Sequence, residues 1–301
     1  MNPQSKEMIG RVVLDRYRIV RQLAKGGMGE IFLARNEGAA GFVRPVVIKQ
    51  IHPSWLGAAP IIEMFAREAR IMAKLRHPGI VSVLDFAQQD GAYVMVLEYV
   101  HGHDLSNWII YYYRRTGRWF PIGSAVVIVL RVLEALSYAH NATGMDGAPL
   151  DVVHRDIKPS NILVSTEGHV KLADFGIARA GTEQTTVAGS SAQKIKGTYP
   201  FIAPEIFEGA EPAPSTDVYA CAVVLYVLLA GRNPFAAKSP RQTIRLVLDH
   251  DPQPIDAIRE DVFPGLASAL AKALAKDRHA RYPDAASYSI AVAQLGRAEV
   301  A

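Results

Sequence analysis

The chain has 301 residues, of which 50% are hydrophobic and 21% are charged, and its mean hydropathy is +0.08. This composition excludes a disordered or fibrous chain and allows one large domain or two lobes. The 33 Lys and Arg residues against 29 Asp and Glu leave a net charge of +4, too small to argue for a nucleic-acid partner. The single cysteine, Cys221, excludes an internal disulfide and a cysteine-based zinc site.

Targeting and membrane signals are weak. The first residues show neither an apolar signal core nor a myristoylation glycine. The most apolar long run, residues 218–231, is shorter than the roughly 18 residues that a membrane span needs. We therefore expect no membrane span in this chain and a cytoplasmic location.

The first third of the chain has the pattern of a sheet with one helix. Short runs rich in β-branched and apolar residues predict strands, and Asp90-Gly91 predicts a tight turn between the last two. The predicted strands are residues 17–23, 30–35, 46–51, 81–87 and 93–98. A helix is predicted over residues 61–75, closed by His77-Pro78-Gly79.

Helices dominate after residue 105. The periodicity predicts them over residues 122–140, 216–230, 243–248 and 266–275, with Ser215, Thr216 or Asp217 as the candidate cap of the second. A small β-rich lobe is therefore followed by a larger helical lobe.

A glycine-rich loop lies between the first two predicted strands. Gly26, Gly27 and Gly29 would let backbone amides approach phosphate oxygens, although a plain hairpin explains the same pattern. A strand follows the loop, which excludes a dinucleotide-binding fold, and the Gly-Lys-Ser/Thr ending of a Walker loop is missing.

Lys49 ends the apolar run Val46-Val47-Ile48, where a buried ammonium needs a partner. Glu68 lies within the apolar stripe of the predicted helix, so it is the expected partner. The alternative is that Glu68 pairs locally with Arg67 or Lys74.

Three further motifs decide the interpretation. They are His154-Arg155-Asp156 with Asn161 five residues after the aspartate, Asp174-Phe175-Gly176, and Ala203-Pro204-Glu205. In this order, with the glycine loop and Lys49, they resemble the eukaryotic-type (Hanks-type) serine/threonine protein kinases, in particular the bacterial branch. The resemblance covers about residues 17–295. It implies an α+β, bilobal protein-kinase fold, with an N-terminal extension (1–16), a β-rich N-lobe with one helix (17–100) and a larger helical C-lobe (101–297).

The resemblance also implies an activity, which is ATP-dependent phosphorylation of serine and threonine hydroxyls on proteins. Asp156 would accept the hydroxyl proton and Lys158 would stand beside the transferred phosphate. Asn161 and Asp174 would bind Mg²⁺, with Mn²⁺ as a second option. Lys49, steadied by Glu68, would hold the α- and β-phosphates. The nucleotide pocket would be completed by Leu23, Gly26, Gly27, Gly29, Ile31, Val47, Glu98, Val100, Asp104 and Leu163.

Within that pocket, residues 98–100 correspond to the hinge that meets adenine, Leu97 to the gatekeeper, Leu163 to the floor and Asp104 to a ribose contact. Outside it, the resemblance implies four structural residues. His154 would pack the loop, Asp217 would brace it, and Glu205 would pair with Arg281.

Lys158 and the pair Gly197-Thr198 match the serine/threonine pattern, so the expected partner is a protein with such an acceptor. Arg155 could grip a phosphate on Thr185 or Thr186, which predicts activation by autophosphorylation and, for that step, self-association. An ordinary hydroxyl-rich loop is the alternative. A pseudokinase and a small-molecule kinase are the competing functions.

Some features depart from the family pattern or fall outside it. Ala24 replaces the usual first loop glycine, Val47 replaces an alanine, and residues 141–150 form a longer surface turn. Trp55, Trp108, Trp119 and the tyrosines 111–113 are interpreted as packing residues, and Cys221 as an inert core residue.

Overall fold

A computed structural model describes residues 8–25, 29–52, 55, 58–176 and 198–297. The chain divides into two compact units. A sheet unit comprises Met1–Arg76 and Val81–His101, and a helical unit comprises His77–Ile80 and Gly102–Ala301. The predicted combination of a β-rich part and a larger helical part is confirmed.

The sheet unit is built on six antiparallel strands in the order β1-β2-β3-β4-β6-β5. Their bounds are β1 Val12–Val13, β2 Tyr17–Lys25, β3 Gly29–Glu37, β4 Val43–Ile51, β5 Val83–Gln89 and β6 Ala92–Glu98. One face is buried because apolar residues alternate along the strands, as with Phe32 and Ala34 on β3 and Val46 and Ile48 on β4. The five predicted strands are present, and β1 is an addition too short to show a period.

A turn and a helix complete the sheet unit. Asp90 and Gly91 both have positive φ, 51° and 78°, which confirms the predicted tight turn between β5 and β6. Helix α1, Ala59–Met72, buries Phe65, Glu68 and Met72 on one face. It ends three residues before the predicted position. Ala73 and Lys74 form a turn after it, and Leu75, the end of the predicted helix, is buried outside the helix.

The helical unit contains a second antiparallel sheet, in the order β7-β8-β9, and seven helices among the described residues. The strands are β7 Gly102–Asp104, β8 Ile162–Ser165 and β9 Val170–Leu172. The helices are α2 Leu105–Thr116, α3 Ile122–His140, α4 Pro204–Phe207, α5 Pro214–Ala230, α6 Pro240–Asp249, α7 Pro264–Ala273 and α8 Ala285–Arg297. Short 3₁₀ turns cover Pro159–Asn161 and Tyr199–Phe201.

Helix α5 is the centre of this unit and is buried on nearly all sides, as expected of a helix without a polar face. The predicted cap was wrong, because the helix starts at Pro214 and the cap position is Ala213. Thr216 instead accepts a hydrogen bond from the Ala213 N–H at 3.1 Å. Cys221 is fully buried on α5, and burial raises the pKa of its thiol, which agrees with an inert core residue.

Helix α2 was not predicted, and its aromatic residues correct an interpretation. Tyr111 is 55% exposed, Tyr113 is 66% exposed, and Trp119, just beyond the helix, is 49% exposed. Their assignment as packing residues was therefore wrong. Residues 141–150 do form a surface turn, closed by a bridge between Thr143 and Pro149.

Among the described residues, one helix is long and apolar enough to cross a membrane by length and composition. It is α3, and half of its most apolar window is buried inside the fold. The core helix of a globular unit has the same character, and the expectation that no membrane span occurs stays a prediction.

Candidate active site

In the sheet unit, Lys49 and Glu68 form the predicted ion pair. Lys49 stands on β4 between Ile31 of β3 and Met95 of β6, and Glu68 comes from the buried face of α1. The Lys49 Nζ lies 2.8 Å from the Glu68 Oε1, and the Glu68 side chain is 6% exposed. The sheet thus holds a lysine ammonium in a fixed position through a carboxylate that is almost fully buried.

The glycine loop joins two paired strands. Lys25 and Ala24 at the end of β2 face Glu30 and Ile31 at the start of β3. Gly26 and Gly27 lie outside the described residues. Gly29 has a structural requirement that the sequence did not indicate, since a Cβ there would lie 2.1 Å from the carbonyl oxygen of Gln50. Close approach of β3 and β4 therefore demands glycine at this position.

In the helical unit, Asp217 holds the loop that carries Asp156. Its carboxylate accepts hydrogen bonds from the backbone N–H groups of His154 (2.7 Å) and Arg155 (2.9 Å), and His140 Nε2 lies 2.9 Å from the same carboxylate. Burial alone would raise the pKa of Asp217, but His140 and His154 together bring it below its usual value. Arg155 has a φ of 67°, an uncommon conformation for a residue other than glycine, and these bonds stabilise it.

The side chains of Lys158 and Asn161 both contact Asp156, in the loop that Asp217 holds. Lys158 Nζ donates to Asp156 Oδ2 at 2.8 Å and to Thr198 Oγ1 at 3.3 Å. The Asn161 amide nitrogen donates to the Asp156 backbone oxygen and to its Oδ2, both at 2.9 Å. Asp156 is 8% exposed. The arrangement holds a carboxylate with an ammonium directly beside it.

Asp174, Phe175 and Gly176 are tied to the same loop. The Phe175 ring packs on the His154 ring with centroids 4.4 Å apart, and both side chains are buried. Burial lowers the pKa of His154, and its Nδ1 accepts a hydrogen bond from the Asp156 N–H at 3.3 Å. A neutral ring suits this position, so the prediction that His154 is a packing residue is confirmed.

Asn161 and Asp174 fit a hard divalent cation by the chemistry of their donors. The Asn161 nitrogen donates to Asp156, so the amide oxygen is the atom of this side chain that would bind a cation. Asp174 adds a carboxylate, and two such groups with phosphate oxygens and waters are a usual Mg²⁺ environment. Within the described ranges, no cluster of three or more His, Cys, Asp or Glu could hold a metal ion.

Comparison with known proteins decides the family. A protein-family model described as "Protein kinase domain" matches residues 17–286. The chain belongs to the protein kinase family. The expected resemblance and the protein-kinase fold are both confirmed.

Named relatives place this kinase domain near bacterial kinases. It is 37% identical over 279 residues to the "Tyrosine-protein kinase MasK" of Myxococcus xanthus, covering 92% of this chain and 42% of that protein. It is 33% identical over 294 residues to the "Serine/threonine-protein kinase PknA" of Mycobacterium tuberculosis, covering 95% and 63%. The solved PknI kinase domain of Mycobacterium tuberculosis superposes with a TM-score of 0.66 at 28% identity, covering 95% and 98%. The kinase domain thus spans less than two thirds of the curated relatives' length.

The remaining predicted pocket residues of the sheet unit lie on its strands or directly after them. In the sheet unit, Leu23 is on β2, Ile31 on β3, and Val47 on β4 opposite Leu97. Glu98 exchanges hydrogen bonds with Ser82, donating its own N–H at 3.0 Å and accepting the Ser82 N–H through Oε1 at 2.9 Å. Val100 follows β6 and is partly buried. Their contacts with adenine stay predictions.

Asp104 and Leu163 face each other across β7 and β8 in the helical unit. The Asp104 carboxylate accepts the Asn107 N–H at 3.0 Å and so caps helix α2. This structural role was not predicted, although an aspartate directly before a helical run is a usual cap signal. A ribose contact at Asp104 stays a prediction.

The last predicted pair is present. Arg281 forms a bidentate ion pair with Glu205, with distances of 2.9 and 2.8 Å, and both side chains are buried. Thr216 adds a hydrogen bond to Glu205 at 3.1 Å. Sequence reasoning missed His140, whose only signal is a polar residue at the end of the apolar helix α3.

Proposed function

We propose that this kinase domain transfers the γ-phosphoryl group of ATP to serine and threonine hydroxyls of proteins. The observation that carries the proposal is the contact of one ammonium, Lys158 Nζ, with both Asp156 and Thr198. It pairs a carboxylate that can take a proton with a cation that can sit beside a phosphate.

In this reaction the acceptor oxygen bonds to the γ-phosphorus, the bond to the β–γ bridging oxygen breaks, and ADP leaves with those electrons. Asp156 takes the hydroxyl proton, and Lys158 offsets negative charge on the transferred group. Lys49, held by Glu68, binds the α- and β-phosphates. Asn161 and Asp174 hold the divalent cation, Mg²⁺ or alternatively Mn²⁺, which when bound neutralises phosphate charge.

Tyrosine is the second candidate acceptor, because the relative at 37% identity is called a tyrosine-protein kinase. The Lys158–Thr198 contact favours serine and threonine, since these residues match the serine/threonine pattern. Three acceptor peptides that differ only in Ser, Thr or Tyr, assayed with radiolabelled ATP and Mg²⁺, separate the two. Labelling of the tyrosine peptide alone would refute the proposed specificity.

The catalytic assignment is tested by Asp156→Asn and Lys49→Met in the same assay. Both variants are expected to lose transfer to the protein acceptors. Transfer by the parent chain to a small molecule such as an aminoglycoside, and to no protein, would indicate a small-molecule kinase instead. Label retained in both would refute the assignment, and an inactive parent chain that still binds ATP would indicate a pseudokinase.

We also propose a cytoplasmic location.

We further propose that autophosphorylation at Thr185 or Thr186 activates the kinase domain, and that two copies associate for that step. Both threonines lie outside the described residues. The support is Arg155, whose Nε is buried and has no hydrogen-bond partner within the described part of the chain, and a guanidinium is suited to gripping a phosphate. Phosphopeptide mapping that finds both threonines unmodified in fully active enzyme would contradict it.

A further inference from the structure

Helix α2 and the turn after it form an exposed surface with an unusual composition. Tyr111 and Trp119 are each about half exposed or more, and Arg115 and Arg118 are exposed as well. We call these four residues the α2 surface. Large exposed aromatic groups next to arginines are the composition of interaction sites rather than of ordinary solvated helix faces.

A cavity of about 250 Å³ adjoins this surface. Its apolar lining comes from Leu105 and Trp108 of α2, Phe120, Ile128 of α3 and Val164 of β8. The Trp108 indole donates its N–H to the Val164 carbonyl oxygen at 3.2 Å, so the ring is fixed in the wall. The volume suits one bulky apolar side chain.

Ring contacts and helix geometry connect the cavity to the α2 surface. The Trp108 ring meets the Tyr111 ring edge-on, with centroids 5.9 Å apart. Arg115 is seven residues after Trp108 and therefore on the same helix face, about 10 Å along the axis. Arg118 precedes the cavity residue Phe120 by two positions.

Positively and negatively charged residues lie on different sides of the cavity. From Leu105 to Leu133 the sequence carries four arginines and no acidic residue. On the opposite side, Glu167 stands between Thr166 and Gly168, which both line the cavity. Asp261 lies near Phe120 but is paired with Arg259 at 2.7 Å, while Arg259 also donates to the Phe120 carbonyl oxygen.

We propose that the cavity and the α2 surface together bind a protein segment in which a bulky apolar residue is flanked on one side by acidic residues. The apolar side chain enters the cavity, and the acidic side lies along Arg115 and Arg118, away from Glu167. A flat anionic membrane fits less well, because Glu167 stands close to the cavity and would repel it. This binding site is separate from the residues proposed for phosphoryl transfer.

Binding is measured with the Asp156→Asn variant of the full chain, so the result does not depend on catalysis. The probes are two fluorescent synthetic peptides of about ten residues, with one phenylalanine and three glutamates placed before it or after it. At least one is expected to bind, and replacing its phenylalanine by alanine or its glutamates by glutamines should each weaken binding by about tenfold or more.

Protein variants locate the site. Ser124→Phe, which fills the cavity from its wall, and the double variant Arg115→Glu/Arg118→Glu should each reduce affinity at least about tenfold. The matched controls are Val127→Phe, on the exposed face of α3, the helix that also carries Ser124, and Arg241→Glu, an exposed arginine on α6. Both controls should bind as the parent does.

Three outcomes overturn the proposal. One is that neither peptide binds, and another is that binding does not depend on the glutamates. The third is that vesicles with anionic phosphatidylglycerol, or a second copy of the chain seen by sedimentation, occupy the α2 surface while the peptides do not.

Discussion

Gly176 donates its backbone N–H to the carbonyl oxygen of His154 at 2.7 Å, which ties the segment carrying Asp174 to the loop carrying Asp156. A Cβ at Gly176 would lie 2.9 Å from the Asp156 Cβ and 3.1 Å from that carbonyl oxygen. The segments that carry Asp174 and Asp156 are thus held together by a close approach that only glycine permits.

We expect Gly176→Ala to lower kcat by about 100-fold, because the methyl group displaces Asp156 relative to Asp174. Steady-state phosphorylation of a serine peptide measures this, with circular dichroism to verify the fold. Gly123→Ala on α3, where a Cβ meets nothing within 4 Å, is the matched control and should keep the parent kcat. An alanine variant at position 176 with normal kcat would contradict the coupling.

Glu68→Gln should reduce phosphoryl transfer by on the order of 100-fold, because the amide cannot hold the Lys49 ammonium as the carboxylate does. The loss should appear mainly as a higher KM for ATP. Glu63→Gln, on the exposed face of the same helix, where Glu63 pairs with Arg70, should leave the ATP kinetics unchanged. Equal ATP kinetics in both variants would argue against a nucleotide role for Lys49.

Arg281→Met should lower the free energy of unfolding by about 3 kcal/mol or more, because it leaves the Glu205 carboxylate buried without its bidentate partner. It also removes hydrogen bonds to the carbonyl oxygens of Ala275 and Lys276. Urea denaturation measures the change. Arg241→Met, at an exposed arginine on α6, should change stability by less than about 0.5 kcal/mol, and a similar loss in the two variants would refute the difference.

Acidification below pH 6.5 should destabilise the protein through His154. Its pKa in the folded state lies below the ordinary value of 6.5 because the ring is buried, so below pH 6.5 the unfolded chain takes up a proton that the folded chain refuses. Each pH unit in that range then costs up to about 1.4 kcal/mol of stability. Asp217 has a lowered pKa and an ordinary value of 3.8, so its own contribution is lost only at more acidic pH.

Denaturation curves at several pH values test this dependence. His154→Phe keeps a ring against Phe175 and should flatten the slope just below pH 6.5. His279→Gln, at an exposed histidine, should keep the parent slope. If the His154 variant retains the full slope, another group causes the acid sensitivity.

Local pattern was sufficient for much of the fold. Helix α3 was predicted with both ends correct, since its apolar periodicity runs unbroken from Ile122 to His140. Helix α2 was missed because its exposed tyrosines give no polar face. Strands β7 to β9 have three or four residues each, too few to show a period of two.

The sequence by itself indicated the family and the order of the motifs, and it made Glu68 the expected partner of Lys49, because motif spacing and a charged residue in an apolar run are visible in the sequence. Tertiary structure alone decided the requirement for glycine at positions 29 and 176, the carboxylate of Asp217 on two loop amides, and the cavity beside α2. Each of these depends on contacts between segments far apart in sequence. Only the distances between those segments in the folded protein show that a particular residue is required.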